Sequence, residues 1–245
     1  MALFTDGPVS TPGDLARMDA GLLETAAALG IDVTARIALA HDSIGSDIQL
    51  WLDRQGGQRL GNVVISDVIR TWEAMQALAL VYRDAYFADL AERYRVRWDE
   101  YSRLTRNAYE NFLGAGVGLV RNPVAKARPP VLNTITGPQS GGSFYACIAW
   151  VNAAGQQGEA SEVSSLAVPD GRIMTVSATS KPANATGFNV FAGTSLGLLT
   201  RRNDVPLPAS ASFLFLPGSS ASGALPGHGQ TPDFTSPLRR ALPRG

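Results

Sequence analysis

A chain of 245 residues, 45% apolar and 17% charged, is long enough for one large domain or two modest ones, and its composition argues against disorder. The formal net charge is +0, with fourteen Lys+Arg against sixteen Asp+Glu in residues 1–128 and seven against five beyond, so neither half has the basic excess of a dedicated nucleic-acid binder. The single cysteine, Cys147, excludes an intrachain disulfide.

Residues 1–11 read as an arm punctuated by Gly7-Pro8 and Thr11-Pro12. They carry neither the basic nor the apolar region of a secretory signal. A first helix is predicted from Thr11 or Asp14 to Gly30, with Leu15, Met18, Leu22, Leu23, Ala26 and Leu29 on its apolar face. A second starts at Asp32 or Thr34, presents Ile37, Ala40, Ile44, Ile48 and Leu52, and stops at Gly56-Gly57. The long run 66–113 follows, opened by the cap residues Ser66-Asp67 and free of Pro and Gly until Gly114. Trp72, Met75, Ala79, Tyr82, Tyr86 and Leu90 recur at helical spacing, and so do Tyr94, Trp98, Tyr101, Ala108 and Phe112. The run exceeds an ordinary globular helix, so a break is predicted near residues 91–95. Pairs four apart, such as Asp89 with Arg93 and Asp99 with Arg103, mark a solvated face. Short connections favour packing as an antiparallel bundle.

Beyond Phe112 the texture changes. Gly114, Gly116, Gly118, Pro123, Pro129 and Pro130 make residues 114–130 an extended crossover. From Val131 the period becomes that of strands: 143–151, 161–168, 173–178, 187–191 and 212–216, with a turn at 152–158. Short strands separated by Gly, Pro, Asn and Ser are the pattern of a β-sandwich. The fold class is therefore α+β and multidomain: a helical domain over 1–113, the crossover, an immunoglobulin- or fibronectin III-like sandwich over 131–229, and an extended basic tail over 230–245. That tail has Phe234, Leu238 and Leu242 as anchors beside Arg239, Arg240 and Arg244. Three prolines give it an extended shape, and it is too short to bury itself.

Little in the sequence resembles a catalytic site. The two histidines, His41 and His228, stand far apart and form no ligand cluster with Cys147. Cys147 sits in a strand pattern, as a small core residue does. Gly114-x-Gly116-x-Gly118 has neither the preceding strand nor the following helix of a phosphate loop. Asp99-Glu100 point in different directions from one helix, which is poor geometry for acid–base work. The aromatics Trp72, Tyr82, Trp98 and Tyr101, at helical spacing, read as packing and assembly residues.

Two resemblances add to this reading. Residues 144–155 (FYACIAWVNAAG) followed by 185–194 (ATGFNVFAGT) resemble fibronectin type III-like modules of phage and bacterial surface proteins, over residues 131–216. Residues 27–34 (AALGIDVT), 79–86 (ALVYRDAY), 93–101 (RYRVRWDEY) and the Gly116–Pro123 crossover resemble the head–tail connector (adaptor) proteins of tailed bacteriophages, over 12–128. The second resemblance implies a structural virion protein of the neck, assembled in the host cytoplasm as a dodecameric ring. Such a ring binds the portal and a tail or stopper protein, and lines the channel through which double-stranded DNA leaves without sequence-specific contact. It implies no cofactor, metal, membrane or enzymatic activity, and places the C-terminal segment (Phe234, Leu238, Arg239, Arg240, Leu242, Arg244) on the portal or a neighbouring subunit. The competing reading is a carbohydrate- or surface-binding module on a helical stalk.

Overall fold

The structure is a computed structural model and describes residues 2–54, 57–217, 223–227 and 229–237. The chain divides into two compact units: one of Phe4–Val120 with the chain from Pro232 onward, and one of Arg121–Thr231 with the residues up to Leu3. Helices come first and antiparallel sheets second, as the change of period requires.

The helical unit holds α1 (Pro12–Met18), α2 (Leu22–Leu29), α3 (Val33–Arg54), α4 (Asp67–Asp89) and α5 (Glu92–Ala115). A reciprocal capping box starts α1: Thr11 Oγ1 accepts from Asp14 N–H, and the Asp14 carboxylate accepts from Thr11 N–H. Gly30, in the left-handed region, ends α2. α4 is the central helix, buried on most sides from Ile69 to Ala85 and flanked by α2, α3 and α5. The core joins Leu15, Leu22, Ile37 and Ala40 to Ala77, Leu78, Val81 and Tyr101.

The break in the long run falls at Leu90-Ala91. Leu90 adopts φ 52° and its N–H bonds to Tyr86 O, so a non-glycine residue carries the left-handed cap. The Asp89–Arg93 pair forms across that break at 3.6 Å. The other predicted helix, 11–30, is in fact two. Asp19 leaves helical geometry at φ −138°, and its carboxylate accepts from Gly21 N–H at 3.1 Å. Side-chain competition of this kind is what ends helices at Asp.

The predicted crossover 114–130 is a packed segment rather than a spacer. Gly116 caps α5, and β1 (Val117–Leu119) forms a ribbon with β9 (Phe234–Ser236), Leu119 opposite Phe234. Residues 62–64 flank β1 on its other edge: Val64 N–H donates to Gly118 O and Val120 N–H to Asn62 O. The tail is thus a strand of the helical unit as far as Ser236.

The β unit has two antiparallel sheets, β2-β5-β8 and β4-β3-β6-β7. Their strands are β2 (Val131–Thr136), β3 (Gly142–Asn152), β4 (Ser164–Val168), β5 (Arg172–Ser177), β6 (Ala185–Gly193), β7 (Thr200–Arg201) and β8 (Ser212–Phe215). The chain crosses between sheets at β2–β3, β4–β5, β5–β6 and β7–β8, which makes a sandwich. Ile148, Trp150, Met174, Val176, Phe188 and Val190 meet in its core, with Trp150 edge-on to Phe188 at 5.7 Å and Phe144 edge-on to Phe215 at 5.7 Å. β3 is buried on both faces, because Cys147 and Ala149 pack with Phe191 and Leu199 on the opposite side. Val124 and Ala127 of the former crossover belong to the main core. Gly187 must be glycine: a Cβ there would stand 2.8 Å from Leu207 O.

Candidate functional site

Three features of the helical unit go beyond apolar packing, and α4 positions two of them.

The first is a buried carboxylate held by two phenols. Tyr82 on α4 and Tyr101 on α5 donate to the same oxygen, Asp19 Oδ2, at 2.7 and 2.9 Å. Their rings stack at 5.6 Å, and Arg97 reaches the same oxygen at 3.9 Å. Burial alone would raise the Asp19 pKa; the two phenols, Gly21 N–H and the Arg97 charge outweigh it, and the carboxyl is held below its usual range. Burial and the bonded carboxylate push Tyr101 up to about 12 and Tyr82 upward as well. A carboxylate kept ionised between neutral phenols suits cross-linking of three elements.

The second is His41–Glu73. Glu73 is 0% exposed on α4. Its Oε2 lies 2.7 Å from His41 Nδ1, and Oε1 accepts from Val9 N–H at 3.1 Å and Ser10 N–H at 2.8 Å. His41 Nε2 lies 3.0 Å from Phe4 O, and the Phe4 ring stacks on the imidazole at 4.1 Å. Both ring nitrogens therefore face oxygen atoms, one of Glu73 and one of Phe4. The four contacts lace the N-terminal arm to α3 and α4.

The third is a groove of about 610 Å³ along α3. Phe4, Gly45, Leu50 and Leu60 supply its apolar lining; Asp42, Ser46, Gln49 and Asp53 supply its polar edge. Gly45 lets the Phe4 ring pack against α3, since a Cβ there would meet Phe4 Cε1 at 3.0 Å.

The aromatics singled out in the sequence divide. Trp72 is buried against Tyr109 and Phe112, both at 5.1 Å. Tyr82 and Tyr101 are buried too, but their hydroxyls converge on Asp19, a polar partner that the apolar stripe alone did not reveal. Trp98 is half-buried beside Tyr86 and Phe87. In the tail, Phe234 is partly exposed opposite Leu119. Leu238, Arg239, Arg240, Leu242, Arg244 and His228 lie outside the described residues. Asp19 and Glu73 escaped the sequence reading. The signal for Asp19 was Gly21 two residues on, inside an apparent helix; for Glu73 it was a charge between Trp72 and Ala74, on a helix apolar nearly all round.

Cys147 is buried, and burial, with the Glu162 charge adding to it, pushes its thiol up to about 11, which makes it a poor nucleophile. Among the described residues no group of three His, Cys, Asp or Glu is placed to hold a metal ion, and no helix is long and apolar enough to cross a membrane. No protein-family model matches the chain, and no curated protein sequence matches it.

Proposed function

We propose that the chain is a structural protein of the tailed-phage neck, a ring-forming connector between portal and tail that lines the DNA exit channel, with the β-sandwich as a decoration. The observation that supports this most is the tip of the α4–α5 hairpin. Phe87 is 63%, Leu90 69% and Val96 58% exposed there, beside the half-buried Trp98. Apolar side chains grouped at the end of a rigid hairpin fit a surface that another subunit covers. A knob of this kind meets a different surface on the next copy, and such heterologous contacts close into a ring when the rotation permits. A formal charge of +0 suits a channel through which DNA slides without sticking.

Negative-stain imaging of the purified chain, with its mass in solution, tests the reading. A ring with a central hole is expected. A monomer at all concentrations, with no ring on addition of portal, would sink it. The partners named above, portal and tail or stopper protein, stand or fall with that ring.

A further inference from the structure

The α3 groove has an apolar floor and an acidic rim. Phe4 and Leu60 form the floor, and Leu50, 53% exposed, rises beside it. Asp42 and Asp53 mark the rim; no Lys or Arg lines the groove, and both ring nitrogens of His41, which does line it, are already engaged by Glu73 and Phe4 O. The Asp42 carboxylate has no ion pair among the described residues; Asp53 accepts from the neutral Gln49 Nε2 at 2.6 Å. The two acids sit on nearly the same side of α3. Eleven residues at about 1.5 Å each set them about 16 Å apart along its axis.

An occupant that fits is extended, with an apolar residue between cations about 16 Å apart. The chain carries such a segment at its C-terminus, PLRRALPRG from residue 237. Pro237 and Pro243 favour an extended backbone. Arg239 and Arg244 are five residues apart, about 16 Å at roughly 3.1–3.3 Å per residue. Leu242 falls between them in sequence, as Leu50 falls between Asp42 and Asp53 on the helix. The order of strands in the helical unit sets the start of this segment apart from its own chain's groove. Phe4 N–H donates to Val63 O, residues 62–64 flank β1, and β1 pairs with β9. Two strands thus separate β9 from the Phe4 floor, and the chain leaves past Gly116 at the end of α5, where Pro237 Cα lies 3.4 Å from where a Gly116 Cβ would stand.

We propose that residues 237–245 of one copy lie along the α3 groove of a second copy, Leu242 on the Phe4–Leu50–Leu60 floor, with Arg239 or Arg240 at one acid and Arg244 at the other. This rests on the self-association proposed above and adds a second contact, tail on groove, to that of the hairpin tip. Each copy gives one tail and receives one, a head-to-tail link that closes in a ring. Bidentate Arg–carboxylate pairing suits the arginines.

The test mixes two full-length single-substitution proteins, Leu50→Cys and Leu242→Cys, under diamide; the buried Cys147 stays in place. A mixed disulfide at least fivefold above either protein's self-linked product is expected. Asp42→Lys with Asp53→Lys in the groove protein should abolish it, and Arg239→Glu, Arg240→Glu and Arg244→Glu in the tail protein should restore it. No excess of mixed product overturns the proposal. So does a chain carrying both cysteines that closes on itself, or a tail that cross-links only to added portal. The mass of the same unlinked samples separates the two readings: a ring without the mixed disulfide sinks the tail link alone, and a monomer sinks the ring.

Discussion

Tyr101 donates a 2.9 Å hydrogen bond to Asp19, eighty-two residues earlier in the chain, on the oxygen that Tyr82 also bonds. One carboxylate thereby ties the α1–α2 corner to both arms of the long hairpin. The Asp19 pKa is lowered in the folded state, so its contribution is present above the unfolded value of about 3.9 and is lost as pH falls below it. The raised Tyr101 contributes stability below pH 10 that is lost as pH rises towards about 12. Tyr82→Phe and Tyr101→Phe should each cost about 1–3 kcal/mol at pH 7, and the double variant should show a flatter loss of stability between pH 5 and 2. Urea midpoints across pH check this; an unchanged acid slope in the double variant would take the phenols out of the account.

Glu73→Ala should be the most damaging single change in the helical unit, at about 3–5 kcal/mol. It leaves His41 buried without its carboxylate and strips the Val9 and Ser10 N–H groups of their acceptor. Glu73→Gln keeps the shape and one acceptor, and should lose less. Denaturant unfolding of both variants measures the difference; equal losses would mean that the charge is irrelevant and only volume counts.

The helices were legible because burial on one side of a helix imposes a visible period. α3 and α5 show it clearly, and Ser66 and Gly30 act as the caps their residue types announce. Breaks were harder to read. Leu90 carries a left-handed cap without glycine, held by a 2.6 Å bond to Tyr86 O. Asp19 ends α1 with a local bond from Gly21 N–H, but the Tyr82 and Tyr101 hydroxyls that hold its other oxygen lie sixty-three and eighty-two residues away, outside any local window. Where aromatic and β-branched types cluster the strands were legible, β3 to within one residue at each end and β6 to within two. β9 was missed because Phe234-Thr235-Ser236, between two prolines, has strand character only once Val117–Leu119 supplies its hydrogen bonds. The candidate groove was not legible at all: it depends on Gly45 meeting Phe4, a contact between the arm and mid-helix.

The boundaries found here redefine what is separable. Residues 121–231 should fold alone, whereas 129–229 should be much weaker. The shorter fragment lacks Val124 and Ala127 from the core and the 2.6 Å bond from Val124 N–H to Gln230 Oε1. Burying one Val side chain is worth about 1.5–3 kcal/mol, a large share of a small domain's stability. Circular dichroism melts of the two fragments decide; equal melting temperatures would return 121–128 to the status of a linker.

Truncation of the tail needs the same care, since removal from residue 231 deletes β9 along with the arginines. Deleting 238–245 spares Phe234–Ser236 and should leave the melting temperature unchanged while altering assembly. The hairpin tip offers the complementary case. Trp98→Ala should cost about 1–2 kcal/mol, short of the ~3–5 for a fully buried tryptophan, because its ring is only half covered by Tyr86 and Phe87. Phe87→Asp, at a site already 63% exposed, should move stability by no more than about 0.5 kcal/mol. If the tip is a subunit contact, that same substitution reduces the mass in solution to a monomer's, because a charge placed in an apolar contact must be desolvated without a partner. Light scattering beside a thermal melt reads both quantities from one sample. A Phe87→Asp protein that melts like the wild type and still assembles would show that the tip faces solvent in the assembly, and the ring contact would have to be sought on another face of the bundle.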